Sequence, residues 1–68
     1  MTNAHETIRA EFKAAKDAGG DIEALYAIVA KLTIREIGDI LRGKRIQPSG
    51  ETKRMISHSL VSLWRNTL

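Results

Sequence analysis

Apolar residues in this chain recur three and four positions apart, and nowhere alternate with polar residues over the length of a strand. That periodicity predicts short helices and no sheet. The first stripe is thin: Ile8, Phe12 and Ala15, helped by Ala4 and Ala18. It predicts a helix from Ala4 to Ala18, with Asn3 as cap and Glu6 completing a capping-box spacing. Gly19-Gly20 ends it, since glycine enters the left-handed region freely. With so little apolar surface, this helix is a candidate docking or homodimer element. The second stripe is firmer, with Ile22, Leu25, Tyr26, Val29 and Leu32 on one face behind a capping Asp21.

A third helix must begin without any glycine or proline ahead of it. Thr33-Ile34-Arg35-Glu36 is a capping box, and Leu32 and Ile37 occupy the two positions of a hydrophobic staple. This helix covers Ile34 to Arg42, with Ile34, Ile37, Ile40 and Leu41 inward and Gly43 as the stop. The fourth starts near Glu51 or Thr52, turning Met55, Ile56, Ser59, Leu60 and Leu63 inward, with Trp64 and Leu68 at the border. Between the two, residues 43–49 exceed a tight turn, and Ile46 is their only aliphatic anchor.

The pattern therefore predicts an all-α fold: a small single-domain bundle of three to four short helices, residues 1–68, containing a helix–extended loop–helix unit over 32–68. At 68 residues with no cysteine, the core is thin and has no disulfide or thiolate metal site to support it. Absence of cysteine fits a reducing cytoplasm, and the charged start reads as no signal peptide. No apolar run approaches the roughly 20 residues of a membrane span.

Charge sharpens the picture. Residues 1–31 carry four Lys/Arg against five Asp/Glu; residues 32–68 carry seven against three, so the net +3 comes from the second half. Five of those cations, Arg42, Lys44, Arg45, Lys53 and Arg54, fall within 42–54 beside one acid, Glu51. Such a concentration favours an acidic partner. A helix opening near Gly50 directs backbone N–H groups outward, where a phosphate oxygen fits, and the Ser49 and Thr52 hydroxyls add donors. The bland reading is structural: Arg42 and Lys44 answer a helix dipole, and Ser49-Gly50 is an ordinary turn and cap.

Other chemistry is sparse. His5 and His58 have no metal-ligand spacing around them and read as exposed imidazoles. In Ser57-His58-Ser59 neighbouring side chains diverge by about 100° on a helix, so no nucleophile–base pair forms. No glycine-rich phosphate loop is present. The sequence predicts no enzyme, no cofactor and no small-molecule substrate. One Phe, one Tyr and one Trp do not make a base-stacking platform, and Trp64 reads as core or interface.

The row Leu32, Ile34, Glu36, Ile37, Leu41, Ile46, Ser49 and Gly50 resembles the SAP family of helix–extended loop–helix DNA-binding modules. That family's pattern is L-x-V-x-E-L-x-x-x-L-x-x-x-G-L-x-x-S-G-x-K, and the register here is free of gaps, with Met55-Ile56 where the family has paired aliphatics. The resemblance covers residues 32–60. Arg45 stands at the family's glycine, Pro48 is displaced, and Thr52 stands at the family's lysine with Lys53 following. The resemblance implies DNA binding of low sequence specificity through the loop and the start of the last helix, and so a nucleoid-associated protein of the cytoplasm. The residues matching that site are Arg42, Lys44, Arg45, Ser49, Gly50, Thr52, Lys53 and Arg54. Two alternatives stand beside it: a protein-interaction or dimerisation module, and a helix-turn-helix opening on TIREIGDILRG. The relative placement of the last two helices separates that second alternative from the SAP-like reading.

Overall fold

The structure, a computed structural model, describes residues 4–47 and 52–68. It contains α1 (Ala4–Asp17), α2 (Ile22–Val29), α3 (Ile34–Gly43) and α4 (Lys53–Thr67), with no strand among the described residues. The fold is a small all-α bundle. The expected cap at Asn3 lies outside the described residues.

Local chemistry sets the helix starts. Asp21 Oδ1 accepts from the Ala24 N–H at 2.9 Å and opens α2. At α3 the capping box is complete: Glu36 N donates to Thr33 Oγ1 at 3.1 Å, and Thr33 N donates to Glu36 Oε1 at 2.9 Å. That backbone N–H, followed by the Thr33 hydroxyl, holds the Glu36 carboxyl below its ordinary range. Leu32 and Ile37 are both buried, as the staple requires. Thr52 caps α4, its Oγ1 accepting from Met55 N at 3.3 Å.

All four helices feed one core, comprising Ile8 and Phe12 from α1, Leu25 and Val29 from α2, Leu32 from the bend, Ile37 and Leu41 from α3, and Ile56, Leu60, Val61 and Trp64 from α4. Phe12 is fully buried and meets Trp64 edge to face, with ring centroids 5.3 Å apart and planes at 67°. Such a contact adds about 1 kcal/mol to the burial of two large rings. α1 thus buries Ile8 and Phe12 of its narrow apolar face inside its own molecule, against α2 and α4.

Three inward assignments are corrected. Ile34 and Met55 are 44% and 49% exposed, and Ile22, which shares the predicted α2 stripe, is 40% exposed. α4 is rotated so that Ile56, Leu60 and Trp64, one helical row, face the core together with Ser57 and Val61 of the next row. The cause is that α4 packs on three helices at once, and Phe12 draws Trp64 inward from the border. Leu63, expected on the inner face, and Leu68 are only partly buried.

Helices α3 and α4 begin at one end of the molecule and finish at the other. At the start, Lys53 Nζ donates to Ala30 O at 2.8 Å, three residues ahead of the α3 cap. At the finish, Lys44 shares a surface depression with Leu63, Trp64, Thr67 and Leu68. The helices therefore run side by side in the same direction, with the nine residues 44–52 between them in sequence. Ten helical residues rise about 15 Å. Four extended residues reach at most roughly 14 Å, whereas nine reach about 30 Å. The length of the loop is what this arrangement demands, and the three- or four-residue turn of a helix-turn-helix does not satisfy it.

Candidate nucleic-acid interface

The end of α3 is built by two backbone hydrogen bonds. Arg45 N donates to Arg42 O at 2.9 Å, and Ile46 N donates to Leu41 O at 2.9 Å. This is a Schellman motif, whose first residue past the cap must be left-handed. That residue is Arg45, at φ +59°. Gly43, expected to be the stop, is instead the last helical residue. Ile46 follows Arg45 and packs, half-buried, against the core, as expected of an anchor.

Around this turn Arg42, Lys44 and Arg45 are all exposed. Arg42 is paired with Asp39 one turn earlier. Its guanidinium lies over Gly38, where an added Cβ would stand 3.2 Å from Nη1. Lys44 and Arg45 make no side-chain ion pair or hydrogen bond among the described residues. Arg42, Arg45, Ile46 and Gln47 line a depression of about 350 Å³. Arg9 of α1, a residue the charge distribution had placed in the acidic half, reaches the neighbouring depression beside Lys44.

The remaining candidates belong to the other end of the α3–α4 pair. Lys53 is tied to the Ala30 carbonyl at the C-cap of α2, where it satisfies a helix-end acceptor. Arg54 sits 5.7 Å from the Tyr26 ring centroid in a cation–π contact. The Tyr26 hydroxyl in turn hydrogen-bonds His58 Nδ1, the two rings lying nearly parallel at 6.1 Å. Tyr26, Arg54, Met55 and His58 border a depression of about 400 Å³. His58 is exposed as expected but has this partner on α2; Ser57 beside it is buried. Thr52 uses its hydroxyl on its own helix. Ser49 and Gly50 lie outside the described residues.

Sequence proximity had grouped five cations on one side. The parallel course of α3 and α4 separates them into Arg42, Lys44 and Arg45 at the far end and Lys53 and Arg54 at the near end. Of the two groups, the first holds the exposed cations, Lys44 and Arg45, that have no side-chain partner among the described residues. α3 contributes about −0.5 charge at its C-terminus and Asp39 contributes −1, so three cations leave that end positive. Trp64, buried and held by Phe12, is not available for stacking on bases. Among the described residues no group of His, Asp or Glu is placed to hold a metal ion, and no helix is long and apolar enough to cross a membrane.

Comparison with protein-family models, with curated proteins and with solved structures finds no match to this chain.

Proposed function

We propose that this protein is a small non-enzymatic DNA-binding module that grips backbone phosphates at the C-terminal end of α3, with the nucleoid as its place of action. The observation that carries the reading is the Schellman turn at Arg45. It sets Arg42, Lys44 and Arg45 on an exposed corner at the end of α3, where Lys44 and Arg45 have no side-chain partner among the described residues. The corner offers charge and hydrogen-bond donors but no aromatic platform, which suits phosphate contact more than base reading.

Binding by so few contacts is weak and steeply dependent on salt. Three phosphate contacts predict a slope near −2.7 in a plot of log affinity against log salt. The test is a fluorescence-anisotropy titration of labelled duplex DNA at low salt with the wild type and with Lys44→Glu plus Arg45→Glu. Saturable binding lost in the double variant supports the reading, and no binding by the wild type ends it. Lys53 is unsuitable for this test because its removal also uncaps α2.

The interaction-module alternative retains one specific observation: exposed Met55 borders the Tyr26–Arg54–His58 depression, giving that end an apolar element beside a cation. Nuclease-resistant capture of a protein partner, lost in Met55→Lys, would favour it.

A further inference from the structure

Two features at the end of α3 run against the usual preferences of a helix. One is an arginine in the left-handed region, at φ +59°, where glycine is the residue of least strain. The chain does use glycine at the equivalent place after α1, where Gly19 has φ +82°. The other is a glycine, Gly38, buried within α3, where alanine is the better helix former. The space left by its missing side chain is taken by the Arg42 guanidinium. Asp39 holds that guanidinium from the side. Both anomalies bear on the same depression, lined by Arg42, Arg45, Ile46 and Gln47.

We infer that Arg42 and Arg45 form a preformed seat for a single phosphate group, in which Gly38 and Asp39 are positioning residues for Arg42 and the left-handed backbone aims Arg45. Guanidinium groups suit this task because their donors are planar and fixed, so two of them can take different oxygens of one phosphate. Asp39 occupies only part of the Arg42 fork and restrains the rest, which lowers the ordering needed on binding. Gln47 at the rim supplies an uncharged donor and acceptor beside the phosphate. This inference rests on the DNA reading for the source of the phosphate, and the seat itself accepts any phosphate monoester or diester.

The experiment uses the full chain in two arms. In the first, labelled duplex DNA is titrated over a range of salt into the wild type, Arg45→Gly and Gly38→Ala. In the second, inorganic phosphate is titrated into ¹⁵N-labelled protein while the Arg45 amide and the arginine Nε signals are followed. Circular dichroism melts confirm folding. Arg45→Gly is expected to melt about 4 °C higher, because strain is relieved, yet to bind DNA with a salt slope shallower by about 1. Gly38→Ala keeps every charge and should melt no lower, yet lose roughly three- to tenfold in affinity, since the added Cβ displaces the Arg42 guanidinium from its place over Gly38.

Equal DNA binding by all three proteins, with Lys44→Glu plus Arg45→Glu still defective, overturns the seat and leaves the DNA reading in place. Saturable phosphate shifts at Arg42 and Arg45 without DNA binding retain the seat and remove the DNA reading. Absence of both removes both.

Discussion

The ends of α1 and α3 have the same hydrogen-bonded geometry and opposite chemistry. After α1, Gly19 N donates to Lys16 O at 3.0 Å and Gly20 N to Ala15 O at 2.8 Å; after α3, Arg45 and Ile46 repeat the pattern on Arg42 and Leu41. At the first end both residues are glycine and no side chain is presented. At the second, a strained arginine faces solvent and an isoleucine packs inward. The first is a turn optimised for stability. The second accepts backbone strain at Arg45 together with an exposed cation and a core contact through Ile46.

Substitutions can break or sharpen this contrast. The largest effect is expected from Gly20→Ala. Its Cβ would lie 2.8 Å from the Ala15 carbonyl oxygen, itself the acceptor of the turn. The turn must open, at about 2–3 kcal/mol, a large part of what so small a domain has, and urea denaturation by circular dichroism will read it as a lower midpoint.

Ile46→Ala should follow at about 1–2 kcal/mol, the lower part of the core-truncation range because the side chain is only half-buried. It removes the contact that the first turn lacks altogether. Gly19→Ala is expected to cost about 1–2 kcal/mol from left-handed strain alone, since nothing lies within 4 Å of the new methyl group. Arg45→Gly runs the other way, with a gain of about 1 kcal/mol or less. Relief of strain there is partly offset by the freedom glycine adds to the unfolded chain. If Arg45→Gly proved destabilising, the arginine would hold a structural contact and the contrast would collapse.

The smallest effect concerns the start of α3 and depends on pH. Glu36 has its folded-state pKa lowered by the Thr33 N–H. Its contribution is present above the unfolded-state value and is lost as pH falls through the lowered folded-state value. The stability difference between wild type and Glu36→Gln should therefore shrink on acidification and vanish once the carboxyl is protonated in the folded state. A difference that grew toward acid would contradict the capping role. Asp17, lowered by its hydrogen bond to Lys13, titrates with the same sign in the wild type and is shared by both proteins, so it cancels in the comparison.

The starts of α2 and α3 were legible in the sequence because their causes are local. Asp21 reaches Ala24, and Thr33 and Glu36 reach each other, within four residues. The staple at Leu32 and Ile37 was legible for the same reason. The stop of α3 was misplaced at Gly43 because residue preference was followed without packing. Had Gly43 taken the left-handed position, the turn would have set Lys44 over Asp39 and left Ile46 farther from the core. Moving the turn two residues on sets Ile46 over Leu41. Burial of an isoleucine is worth up to about 3 kcal/mol and a satisfied carbonyl about 1 kcal/mol, against about 1–2 kcal/mol of strain. Packing wins.

The candidate site divides in the same way. That the 42–54 segment is basic was plain from composition. Which cations stand together was not, because the parallel course of α3 and α4 is a long-range property. The Asp39–Arg42 spacing was readable as an i, i+3 pair. The space over Gly38 and the approach of Arg9 to Lys44 carried no local signal.

By itself the sequence determined the four helices, the capped starts of α2, α3 and α4, the apolar rows available to the core and the basic balance of the second half. These follow from forces acting over a few residues: hydrogen bonds at caps, helical periodicity and the count of charges. Tertiary structure alone decided that α1 docks through Phe12 on Trp64, that α4 turns Met55 outward, that Lys53 and Arg54 serve α2, and that Arg45 takes the left-handed turn. Each of those outcomes is a competition between a weak local preference and the burial of large side chains from distant parts of the chain, and in so thin a core burial is the stronger term.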